Sequence, residues 1–365
     1  MSHRPTQKLK KIKTHHHNRK GRINSALFVL HQITGIEYFC RLILQGDMSR
    51  IVSFVKDWAL PIVMGAGVAA YFVFSAVGFS PEVSQAAESA VGVVQPLLLF
   101  AMLYISFCKI DPAKIRPRRW HLWLALIQGC LFILMAIVAR FVPGDNASVI
   151  AQCAMVCLIC PTATAAVVVT DKLGGNTLSL VGYTIVINLV AAVAVPAVVP
   201  MVNPNIGMNF AHSFFIIIKQ VFPLLVFPFL LAWLTRLFLP RFLQIVVSIK
   251  DLAFYLWMVA LALAMTVTTR AIVHSNLSAG CFVGMLVVTL VCCGLQFGLG
   301  KLIGDHYNDR ISGGQAMGQK NTVFIIWVAY TFMNPVVAVA GGLYSIWHNS
   351  VNSYQLYRKR HNRTN

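Results

Sequence analysis

Acidic residues are scarce in this chain. It has eleven Asp and Glu in 365 residues, against thirty Lys and Arg. Charged residues of both signs make up only 11% of it, where a soluble protein carries about a quarter. So few charges cannot cover a water-soluble fold. Hydrophobic residues make up 58% of the chain and the mean hydropathy is +0.71. The composition describes an all-α polytopic membrane protein, in which apolar runs matter more than length.

Other absences narrow the class. The basic start of the chain is followed by an apolar run broken at His31, Glu37 and Arg41, with no small-residue cleavage site, so it does not read as a secretory signal. Nine cysteines are an odd number, and most lie in apolar runs, which argues for buried free thiols rather than a disulfide framework. Cys153, Cys157 and Cys160 share the spacing of a radical iron–sulfur motif, but the residues between them are those of a membrane helix. No nucleophile–base pair and no metal-ligand spacing supports catalysis, so the chain is not expected to be an enzyme or to hold a metal or cofactor. His306 and His348 are the histidines an embedded enzyme would use, and His348 in the WHN triplet reads as structural.

What is present is a net charge of +19, unevenly placed. Residues 1–23 carry eight Lys and Arg and no acid, and include His15, His16 and His17. Residues 109–119 carry five with one acid, and residues 358–363 carry four. Short basic flanks read as cytoplasmic by the positive-inside rule. A basic arm also suits anionic lipid headgroups. Nucleic-acid binding is not expected, because no folded polar domain accompanies the arm.

Residues 1–23 read as a disordered basic arm and 24–56 as an amphipathic surface helix. Ten spans follow, at about 58–78, 88–108, 120–142, 147–170, 177–201, 210–238, 252–272, 277–303, 309–332 and 335–357. With both termini cytoplasmic, every basic cluster falls on the inner side of a plasma or bacterial inner membrane. Lys219 reads as a snorkelling side chain near the start of the sixth span, and Arg140, Arg236 and Arg270 as span ends.

The fourth and ninth spans differ from the rest. The fourth holds CPTATAAVVVTDKLGGN at 160–176, and the ninth GGQAMGQKNTVFIIWVAYT at 313–331. Proline removes a helix hydrogen bond and glycine weakens a helix. In lipid, the freed backbone groups must be satisfied within protein or a wet cavity. Matching interruptions in two sets of five spans point to inverted repeats with a transport site between them. Pro161, Thr162, Thr164, Gln315, Gly318, Gln319, Lys320 and Asn321 are the candidate site. None of the eleven acids falls in the middle of a span, so a sodium site lacks the carboxylate that would offset its charge. The ammonium of Lys320 suits an anion, or a proton that it binds and releases.

At these residues the sequence resembles the bile acid:sodium symporter family, whose fold is shared in outline with sodium/proton antiporters. The likeness runs over about 55–357 and is carried by the two interrupted stretches and by PVVAVAGGLYSIWHN at 335–349. It implies a panel domain (57–108 and 210–273) and a core domain (120–201 and 277–357), with broken helices four and nine crossing in the core and a basic tail at 358–365. It also implies supporting roles for Gln128 of the third span and Thr184 of the fifth. Where the family has a sodium-binding Glu, then Gln and Asn, this chain has Gln315, Gln319 and Lys320. A fourth-helix Ser-Asn pair falls near Ala166 and Val167. The resemblance thus implies the fold, with both sodium sites dismantled. The expected function is alternating-access transport of a small organic anion without sodium. The rivals are a sodium symporter with a carboxamide-only site and a non-transporting receptor or sensor.

Overall fold

A computed structural model describes residues 59–202, 209–249, 252–275 and 278–361. The basic arm, the surface helix at 24–56 and the last four residues of the tail lie outside the described residues. The chain divides into two units, Met1–Ile62 and Val63–Asn365. The first is described only over residues 59–62, the start of helix α1.

The described residues form helices and short 3-10 turns. In order they are α1 (Ala59–Val77), α2 (Pro81–Cys108), α3 (Arg119–Phe141), α4 (Asp145–Ile159), α5 (Ala166–Leu173), α6 (Thr177–Val202) and α7 (Phe210–Phe238). Then come α8 (Pro240–Ser248), α9 (Leu252–Val273), α10 (Ala279–His306), α11 (Arg310–Gly318), α12 (Thr322–Phe332) and α13 (Val339–His361). Six of them, α2, α3, α6, α7, α9 and α10, are long and apolar enough to cross a membrane. Residues 61–77 of α1, together with α4 and α12, are shorter apolar helices. Phe141, Val73, Leu122 and Phe238 are among many large apolar side chains left exposed on the helix surfaces. An outward apolar face is what lipid as the solvent requires. The chain is an integral membrane protein.

The charged groups near the helix ends have local tasks. Arg236 donates to the carbonyls of Cys108 (3.0 Å) and Ile110 (2.7 Å), closing the carboxyl end of α2. Arg270 pairs with Glu88 across α9 and α2. Lys359 donates to the Lys172 carbonyl at 3.0 Å, at the end of α5. Lys219 is exposed, but α7 begins nine residues earlier at Phe210, where Asn209 caps His212 N at 2.9 Å. The lysine therefore lies in the third turn of the helix rather than at its start. One element was not anticipated. Pro240 opens the short helix α8, with Phe242, Ile245 and Val247 exposed and Val246 buried.

Glycines allow α10 and α11 to touch through their backbones. A Cβ on Gly313 would collide with the Gly300 carbonyl, and one on Gly304 with the Asp309 carbonyl at 2.6 Å. Small residues at such contacts are how membrane helices pack closely. This packing places the end of α11 against the break after α4.

Candidate functional site

The break after α4 begins at Pro161. Cys160, the residue before it, is extended (φ −51°, ψ 132°), as the clash with a following proline ring demands. Proline has no N–H, so the carbonyl of Cys157 loses its helical partner. Gln296 of α10 supplies a substitute, its Nε2 donating to Cys157 O at 3.2 Å. Gln128 of α3 donates to both Ile159 O and Cys160 O at 3.1 Å. Its own oxygen accepts from Tyr183 Oη at 2.8 Å. Gln128 thus holds the frayed end of α4, and Tyr183 of α6 fixes the amide.

The break after α11 mirrors this. Gln319 leaves the helix with extended dihedrals (φ −93°, ψ 100°). Thr162 and Lys320 then pair in an antiparallel bridge. Ala163 N donates to Gln319 O at 2.8 Å and Asn321 N to Pro161 O at 2.9 Å. The Thr162 hydroxyl donates to Ala316 O at 2.6 Å, and Tyr344 Oη donates to Gly318 O at 2.9 Å. Cys160 Sγ donates to Asn321 O at 3.0 Å. Each of these freed carbonyls finds a donor inside the protein, as irregular backbone at membrane depth requires. Two helices, α5 and α12, start within a few residues of the bridge, so their positive amino ends adjoin it.

Into this crossing the chain places an ammonium. Lys320 is 1% exposed, the one Lys or Arg among the buried described residues, and its Nζ has no hydrogen-bond partner. No Asp or Glu is buried among the described residues. The titratable neighbours of the ammonium are the thiols of Cys160, Cys157 and Cys292. The side-chain oxygens of Gln315 and Gln319 are also buried without partners. An unpaired buried ammonium and free amide oxygens are costly unless a ligand or water completes them.

Most of the residues expected at the site do gather here. Pro161, Thr162, Gly318, Gln319, Lys320 and Asn321 form the crossing, and Gln128 supports it. Gln315 lies one turn back on α11, bonded through Nε2 to Asn352 Oδ1 at 2.9 Å. Thr164 is half-buried in the turn leading to α5. Thr184 is buried, but its hydroxyl donates to Leu180 O of its own helix at 3.0 Å, and it has no hydrogen bond to the crossing. His348 is buried, its ring edge-on to Tyr344 at 5.7 Å. The three spaced cysteines line the end of α4 as free thiols. No group of three or more His, Cys, Asp or Glu that could hold a metal occurs among the described residues. Gln296, Tyr183 and Tyr344 were missed by sequence reasoning. Gln296 is a lone polar group in an apolar run, and that pattern was the available signal; Tyr183 beside Thr184 and Tyr344 beside Ser345 had no such mark.

Fold and crossing together define a helical membrane protein organised around two interrupted helices. The model of the Sodium Bile acid symporter family matches residues 96–276, which supports membership of that family and, with the apolar helices, a membrane transporter. The match takes in Gln128, the break at Pro161 and Thr184, and ends before α10, α11 and Lys320. No curated protein matches the chain.

Proposed function

We propose that this protein is a secondary transporter of a small organic anion, working by alternating access and without sodium. The observation that carries this reading is the buried, unpartnered ammonium of Lys320 at the crossing. In a site of low dielectric, a fixed positive charge attracts a carboxylate or similar anion and repels sodium. Lys320 therefore takes the part that bound cations play elsewhere in the family. Gln315, Gln319, Asn321, Thr162 and Thr164 line the anion site around it, with Gln128 and Thr184 behind.

The architecture that goes with this function is ten spans in two inverted repeats of five. The halves at 57–108 and 210–273 form a panel against which a core of 120–201 and 277–357 moves. Two features support it: the breaks of the two interrupted helices pair in an antiparallel bridge, and α1, α4–α5, α11–α12 and α13 supply the four spans that the six long helices leave out. Both termini lie on the cytoplasmic side of a plasma or inner membrane, where the basic arm meets anionic lipid.

The test is a thermal-shift screen of organic anions on the purified protein, with Lys320→Ala alongside. An anion that stabilises the wild type and not the variant supports the reading. Equal stabilisation of both at every pH removes Lys320 from it. Uptake in liposomes then separates a transporter from a receptor. A sodium symporter with a carboxamide-only site has one observation in its favour, the free oxygens of Gln315 and Gln319. Its mark is stabilisation by sodium and not by potassium.

A further inference from the structure

Unpartnered polar atoms do not stop at Lys320. On α13, Tyr344, His348, Asn352 and Gln355 are spaced by four, four and three residues, so they share one face of the helix. Tyr344 reaches Gly318 and Asn352 reaches Gln315, so this face looks onto α11. His348 Nδ1, Asn352 Nδ2, Gln355 Nε2 and Gln315 Oε1 are all buried and all lack a hydrogen-bond partner. His348 and Asn352 are 5% and 4% exposed. These groups form a column about 16 Å long, at 1.5 Å per residue from Tyr344 to Gln355. At its far end lie Arg358 and Lys359 of α13, and Lys301 of α10 is close enough to Arg358 and Arg310 for their charges to act on it.

A row of polar atoms in an otherwise apolar interior is stable when water completes it, since each unsatisfied group costs about 1–3 kcal/mol. We propose that the α11–α13 interface is a hydrated proton half-channel, in which Gln355, Asn352, Gln315 and His348 connect the aqueous phase at the end of α13 to the ammonium of Lys320. This deepens the reading of Lys320 as the site's charge and rests on it. The titratable groups facing the column are Cys157 and Cys160 of α4, Cys292, Cys293 and Lys301 of α10, Arg310 of α11, and Tyr344, Arg358 and Lys359 of α13, with Lys172 of α5 at the mouth. None is a carboxylate, although Arg310 at the mouth is paired with Asp305 of α10 at 3.0 Å. The bases at the mouth repel metal cations, whereas a proton passes by exchange along hydrogen-bonded water and needs no charged ligand. The step is a proton transfer between water and Nζ, with no other bond made or broken.

The test uses single cysteines in the full-length protein, reconstituted in vesicles of defined orientation. Gln355→Cys, Asn352→Cys and His348→Cys are exposed to a small membrane-impermeant thiosulfonate, with Ala340→Cys as the control packed in the core of α13. The expected result is labelling from the side of the C-terminus only, fastest at Gln355 and slowest at His348, with each at least tenfold above the control. Labelling no faster than the control, or from the opposite face, overturns the half-channel. Gln355→Cys is the mildest change, at the half-buried end, and it decides the matter by itself if the deeper variants do not fold. A failure here leaves anion stabilisation through Lys320 intact, and loss of that stabilisation leaves the labelling pattern intact, so the two readings fail separately.

Discussion

Thr162 and Lys320 face each other in an antiparallel bridge, each within four residues of the ends of the helices it links. The bridge joins the two interruptions through main-chain hydrogen bonds, which leaves the side chain of Lys320 free of any structural duty there. The first expectation follows. A buried ammonium without a partner destabilises the fold, so Lys320→Met should stabilise the protein without ligand, by about 1–3 kcal/mol. The apparent Tm should rise by about 2–5 °C, while stabilisation by anions disappears. A lower Tm in the ligand-free variant would mean that the ammonium holds the crossing together.

Thr162 does have a structural duty. Its hydroxyl satisfies the Ala316 carbonyl, which the end of α11 leaves without a helical donor. Thr162→Val keeps the shape and removes the donor, so a buried carbonyl is orphaned at a cost of about 1–3 kcal/mol. Thr162→Ser keeps the donor and should fall much closer to wild type. Thermal unfolding of the two variants side by side checks this.

Gln128 holds the last carbonyl of α4 and that of Cys160 just beyond it, and is itself held by Tyr183. Gln128→Leu should cost about 2–4 kcal/mol, because three polar groups lose a partner together. Tyr183→Phe removes one bond and should cost about 1 kcal/mol. In the double variant the two losses should not add, since the tyrosine has nothing left to bond once the amide is gone. A double-mutant cycle with additive losses would separate the two residues.

The crossing was legible in sequence because proline, glycine and amides are conspicuous in apolar runs. Pro161 marks the first break, and Gly318 with Gln319 and Lys320 marks the second. The bounds of α6, α7 and α9 also follow from apolar length within a residue or so. What could not be read was the set of distant partners. Gln296 is 139 residues from the carbonyl it satisfies, and Tyr344 bonds across 26. No local pattern encodes such a pairing, which depends on how the helices pack. Helix α8 was missed for a different reason. Its nine residues are too few for an apolar run to show, and a proline at a helix start looks the same as one in a loop.

Sodium should have no specific effect on the protein. The buried described residues include no carboxylate, and the ammonium of Lys320 occupies the crossing. A cation placed there would meet a like charge in a medium of low dielectric, where repulsion is much stronger than in water. Titration with sodium chloride against potassium chloride at constant ionic strength should give superimposable melting curves and equal uptake rates. A sodium-dependent gain in either would transfer the function to the carboxamide-only symporter.

The glycine contact between α10 and α11 sets where Lys320 lies, although neither glycine touches it. A methyl group on Gly313 would run into the carbonyl of Gly300, and both atoms are backbone, so no side-chain rotation relieves the clash. Gly313→Ala should therefore separate the two helices and cost about 1–3 kcal/mol. The shift travels along α11 to Gln315 and to its end at Gly318, two residues before Lys320, because a nine-residue helix moves as a unit. Anion-induced stabilisation should weaken in this variant by more than in Gly298→Ala, whose added methyl meets nothing within 4 Å on α10. If both variants kept the wild-type response to anions, the position of α11 would not govern the site.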